Sequence, residues 1–265
     1  MIKSDNSIKK ISLNCILSLI PLIIFGFYKN GITLYIKDYV GILGMFKPLL
    51  FIIIGAILGI GVNIIYDKLI LKSNNKLIDS IFSSFHLIYG ILIACISSIN
   101  TNLLLFSVVT FIILFISKFF KDNKVNVVAL TSLILFFIMN VFHEFSFLNI
   151  YESSNNFNMN AIDYLFGKGS GGIFTTNILL LAISYIILYC SKIYKRNIPI
   201  YSSVTFLVLV IIYCIGTNNI ENILSMLFTN GILSAFCAAL IPSFIASYHP
   251  IFITSSKRLF YSYSI

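Results

Sequence analysis

The chain has 265 residues, 58% of them hydrophobic and only 10% charged, with a mean hydropathy of +0.98. So little polar surface cannot cover a water-soluble globule of this length, which excludes soluble enzymes and binding domains and leaves a membrane protein. The net charge of +9 does not form a Lys/Arg patch interleaved with aromatics, so a nucleic-acid partner is excluded and the partner in view is the lipid bilayer.

Alternation of the β-barrel kind is absent, and helices are the expected spanning elements. Eight apolar runs are each long enough to cross about 30 Å of hydrocarbon as a helix. They lie at roughly 11–27, 48–66, 81–99, 103–120, 125–142, 173–191, 200–216 and 223–247. The first follows a basic start, as a signal peptide does, but no small-residue cleavage site comes after it, so it reads as a span.

Of the 18 basic residues, four (Lys29, Lys37, Lys47 and Lys168) fall in one alternating set of segments. The other set holds the rest, among them Lys9, Lys10, Lys68, Lys72, Lys118, Lys121, Lys192 and Arg196. Lys and Arg concentrate on the cytoplasmic side. The expectation is therefore an all-α, polytopic, multi-pass protein of about eight transmembrane helices with both termini inside.

Along the spans, Gly55, Ala56, Gly59 and Gly61 form a run of small residues of the kind that packs helices closely. Cys15, Cys95, Cys190, Cys214 and Cys237 are scattered singly with no CxxC pair, and read as small apolar core residues. His86, His143 and His249 fall near span ends, and the acidic residues lie in loops or at span ends. That pattern argues against a self-contained pump. There is no nucleophile–base pair, metal-ligand spacing or dinucleotide fingerprint, so no catalytic residue and no metal site is expected.

The long loop 143–172, outside by the charge count, carries Glu144, Glu152 and Asp163 and ends in Gly169, Ser170, Gly171 and Gly172. The chain then enters a helix through Thr175 and Thr176. Backbone N–H groups at a positive helix end would cradle an anion or phosphate. Glycine and serine before a helix also simply turn and cap the chain.

"IDYLFGKGSGGIFTTNILLLAISYIIL" followed by "CSKIYKRNIPIYSSVTFLVL" resembles the second-half signature of the RnfD and NqrB subunits of ion-translocating electron transport complexes. The matching residues are Asp163, Phe166, Gly167, Gly169 to Gly172, Thr175, Thr176, Arg196, Ile198 and Pro199. Gly231, Ala235, Phe236, Ala246, Pro250, Thr254, Arg258 and Tyr261 hold the frame of a later stretch, and Asn126 and Ala129 that of an Asn-containing turn before the fifth span.

The resemblance implies inverted five-helix repeats in a bacterial cytoplasmic membrane, partner membrane subunits of an Rnf-like complex, and flavin that passes electrons between them. Residues 1–142 would be the first repeat, 143–172 the outer loop and 173–265 a partial second repeat. The family's last two spans would be missing, as in a divergent relative or a piece of a longer protein. No Ser-Gly-Ala-Thr motif occurs in the chain, and His249 stands before Pro250 where the family has Asp.

FMN or riboflavin is thus expected to be held noncovalently near Gly169, Ser170, Gly171, Gly172, Thr175, Thr176, Asn126, His249 and Pro250. The enzyme class implied is a subunit of an ion-translocating oxidoreductase. Two other functions remain open on the residues: a small-solute transporter or channel on the same inverted-repeat scaffold, and a non-redox assembly subunit.

Overall fold

The computed structural model describes residues 8–72, 80–81, 84–119, 127–142, 162, 166–168, 171–190 and single positions between 208 and 216. Among the described residues every regular element is helical. These are α1 (Ile8–Phe27), α2 (Thr33–Ile36), α3 (Ile42–Met45), α4 (Lys47–Ile65), α5 (His86–Ile96), α6 (Leu103–Ser117), α7 (Val127–Val141) and α8 (Ile178–Cys190).

Among the described residues two stretches, Ser12–Ile36 and Lys47–Ile70, are long and apolar enough to cross a membrane. In the first, α1 passes into α2 through a π-helical turn at Tyr28–Ile32. The extra residue in such a turn shifts the register of the helix face. Consecutive residues Lys29, Asn30 and Gly31 are consequently all buried, which a regular helix face does not readily allow. The second stretch ends in a similar turn, Tyr66–Ile70, which buries Asp67.

The helices beginning near residues 81, 103 and 125 exist but are shorter than the expected spans. His86–Ile96, with 11 residues, extends only about 16 Å at 1.5 Å per residue. The expected helix start at 173 is also displaced, because 171–177 is non-helical and α8 begins at Ile178. The spans at 200–216 and 223–247, and most of the loop and of the partial second repeat, lie outside the described residues.

Backbone proximity explains how α4 and α5 form the centre. A Cβ on Gly55 would run into the carbonyl of Gly90, one on Gly90 into the carbonyl of Gly55, and one on Gly59 into the carbonyl of His86. Glycine is required on both helices at this crossing. Gly61, two residues past Gly59, meets nothing within 4 Å. Of the glycines in the small-residue run, Gly55 and Gly59 therefore pack against α5 and Gly61 does not, among the described residues. Around the crossing, Phe51 and Phe106 meet edge to face with ring centroids 4.9 Å apart, and both are fully buried with Ile93 and Leu114.

Candidate functional site

Three separate stretches converge at one end of the bundle: the π turn after α1, the α5–α6 corner (97–102) and the segment 171–177 before α8. The contact between the last two is made by backbone, with Ile173 N–H donating to the Ser97 carbonyl at 3.0 Å and Phe174 N–H to the Cys95 carbonyl at 3.2 Å. Asn30 Nδ2 donates to the Ile173 carbonyl at 2.6 Å and ties in the π turn.

Close approach is enforced by glycine here too. A Cβ on Gly26 would strike the Phe174 ring and come within 2.6 Å of the Ile173 oxygen, and one on Gly172 would sit 2.5 Å from the Ile96 oxygen. Gly172, Ile173, Phe174, Thr175, Thr176 and Asn177 are all buried. In an apolar bundle, non-helical backbone persists only where protein or a polar cavity surrounds it, because each unmet N–H or C=O costs several kcal/mol. This corner meets that condition through its own bonds.

The two corners also share a local design. Thr101-Asn102-Leu103-Leu104-Leu105 and Thr176-Asn177-Ile178-Leu179-Leu180 have the same pattern. In each, the Asn side chain caps the helix that follows, with Leu104 N–H donating to Asn102 Oδ1 and Leu180 N–H to Asn177 Oδ1, both at 2.9 Å. Asn177 Nδ2 reaches further, to the Phe166 carbonyl at 3.1 Å. There Gly167 sits at φ +83°, in the left-handed region that favours glycine.

Of the residues named from sequence, Gly171, Gly172, Thr175 and Thr176 are brought together in this corner. Gly169, Ser170, Asn126, His249 and Pro250 lie outside the described residues. The expected phosphate cradle meets competition, because the Thr175 N–H is turned onto the Gly172 carbonyl at 3.3 Å and those of Ile173 and Phe174 are held by the α5 end. What the corner does present is Thr176 Oγ1, buried and without a hydrogen-bond partner among the described residues. A buried hydroxyl left unmet costs about 1–3 kcal/mol, so a polar ligand group placed there recovers that energy.

Sequence reasoning missed Asn30, Ser97, Asn102 and Asn177. The repeated Thr-Asn-apolar-Leu-Leu pattern was available to find Asn102 and Asn177. Nothing local marks Asn30 or Ser97, which matter only through partners distant in the chain.

Apolar helices joined by buried non-helical corners fit a helical membrane protein. The chain belongs to the NQR2, RnfD, RnfE family, which matches residues 1–247. No curated protein matches it. The family is associated with multisubunit, ion-translocating electron transport complexes of the Rnf and Nqr type.

Proposed function

We propose that this protein is a membrane subunit of an Rnf/Nqr-like complex in the bacterial cytoplasmic membrane, carrying electrons through a noncovalently held flavin and helping to couple their flow to ion movement. The observation that supports this most is the coincidence of family membership over residues 1–247 with a buried corner whose Thr176 hydroxyl lacks a partner among the described residues. Thr175 and Thr176 would meet the polar part of FMN or riboflavin beside Gly171, while Gly172 holds the segment against the Ile96 carbonyl.

A bound flavin accepts and releases electrons; the chain contributes position and exclusion of water. Asn30 holds the Ile173 carbonyl in place, and the Asn177 cap fixes where α8 begins. Burial of the corner keeps bulk water from the site. Electron donor and acceptor would come from partner membrane subunits. The transporter alternative expects the same helix packing, so Gly55 and Gly59 do not separate the two readings.

The test is an absorbance and fluorescence spectrum of the detergent-purified protein, produced with its partner subunits, before and after acid precipitation. Flavin released to the supernatant is the expected result. Flavin retained in the pellet would show covalent attachment, and a colourless protein would remove the redox role and favour a transport or assembly subunit.

A further inference from the structure

The link between the two membrane-length stretches, residues 37–46, reads KDYVGILGMF. A connection that runs through water is ordinarily rich in Asp, Asn, Ser and other turn formers, yet after Asp38 this one carries no charge. Tyr35, Ile36, Tyr39, Ile42, Leu43 and Phe46 are all exposed, Leu43 at 87%. An apolar patch of this kind marks a surface that another medium or molecule covers.

The backbone decides where the patch lies. Tyr39 N–H donates to the Leu34 carbonyl and Asp38 N–H to the Tyr35 carbonyl, both at 3.0 Å. That pair of bonds closes α2 as a Schellman turn, with Asp38 at φ +59° in the left-handed position where glycine is usual. Beyond it the chain doubles back. A Cβ on Gly31 would come within 2.5 Å of the Met45 carbonyl, and the Phe46 ring stacks on that of Phe27 with centroids 6.0 Å apart. Gly31 precedes the end of the first apolar stretch, Ile36, by about 7 Å along the helix axis. α3 therefore sits beside the last turns of that stretch, not beyond them.

The depth is bounded from the other side as well. Residues 37–41 are non-helical, and irregular backbone exposed to lipid does not persist in the hydrocarbon core, where no water meets its polar groups. The layer that suits both observations is the headgroup interface. Lys37 and Lys47 bracket the segment, and their long stems let the ammonium groups reach lipid phosphates while neighbouring apolar side chains point down. Tyrosine, here at 35 and 39, favours the same layer.

We propose that residues 36–46 are an interfacial lipid anchor, in which Ile42 and Leu43 dip among the upper acyl chains and Lys37 and Lys47 meet headgroup phosphates. The π turn carries the consequence inward, since Gly31 abuts the Met45 carbonyl while its neighbour Asn30 holds the Ile173 carbonyl. The anchor thereby sets the depth of the buried corner in the bilayer. This rests on the chain lying in a membrane and does not depend on flavin.

The chain contains no tryptophan, so Leu43→Trp in the full-length protein supplies a single reporter at a position too exposed to disturb the packing. The protein is reconstituted in vesicles of phosphatidylcholine and phosphatidylglycerol brominated either near the glycerol or near the acyl-chain end. The expected emission lies to the blue of tryptophan in water and is quenched more by the shallow bromines. Ile57→Trp, exposed in the middle of α4, should show the reverse order. A Leu43→Trp emission like that in water and readily quenched by acrylamide overturns the proposal, as does a quenching order equal to that of Ile57→Trp. In intact cells, p-benzoylphenylalanine at position 43 should on irradiation yield lipid adducts of the chain. Crosslinking to another protein or to a second copy would assign the patch to a protein interface and overturn the anchor.

Discussion

Asn30 donates its side-chain amide to the carbonyl of Ile173, 143 residues further along the chain, at 2.6 Å. The bond joins a π turn to a buried non-helical segment, and the Ile173 carbonyl is shielded from water. Asn30→Asp keeps the shape but replaces the donor with an acceptor. It should destabilise the protein by about 1–3 kcal/mol, read as a lowered melting temperature by differential scanning fluorimetry in detergent. Unchanged melting would show that the bond contributes nothing.

The α4–α5 crossing separates glycines that look alike in sequence. Gly90→Ala places a methyl group against the Gly55 carbonyl, and the backbones must separate, at a cost of roughly 1–3 kcal/mol. Gly61→Ala, with open space around it, should be neutral or stabilise the helix by up to about 1 kcal/mol. Thermal unfolding of the two variants side by side decides it; equal losses would refute the packing assignment.

The twin caps should differ in weight. Asn102→Ala removes one capping bond, worth about 1 kcal/mol. Asn177→Ala removes a cap and the bond to the Phe166 carbonyl, adding roughly another 1 kcal/mol. If the expected flavin is present, Asn177→Ala should also reduce flavin per protein in the purified sample, while Asn102→Ala should change it less.

Orientation has a direct test in intact cells. A single cysteine introduced by Asn155→Cys in the loop 143–172 should react with a membrane-impermeant maleimide from outside. Asn123→Cys, beside Lys121 and Lys124, should react only after permeabilisation. The reverse pattern would invert the topology inferred from the basic residues.

Much of the helical content was legible because a bilayer-length apolar run has few alternatives to helix. The positions of α1, α4, α6 and α7 follow the apolar runs closely. The short α5 and the late start of α8 did not, because hydropathy is blind to where an apolar stretch leaves the helix. Ile173 and Phe174 are as apolar as any span residue, yet their N–H groups bond to Ser97 and Cys95. The Gly171–Thr176 stretch was visible as a turn before a helix, and its burial was not.

Composition alone determined that the chain belongs in a membrane and is helical, since both follow from transfer free energies summed over residues. Tertiary structure alone decided which glycines touch, that Asn30 reaches Ile173, and that His86 is enclosed between Ser84 and Ser117. Those are pairwise relationships across long chain separations, and a hydrogen bond or steric contact has no local signature until both partners are in place.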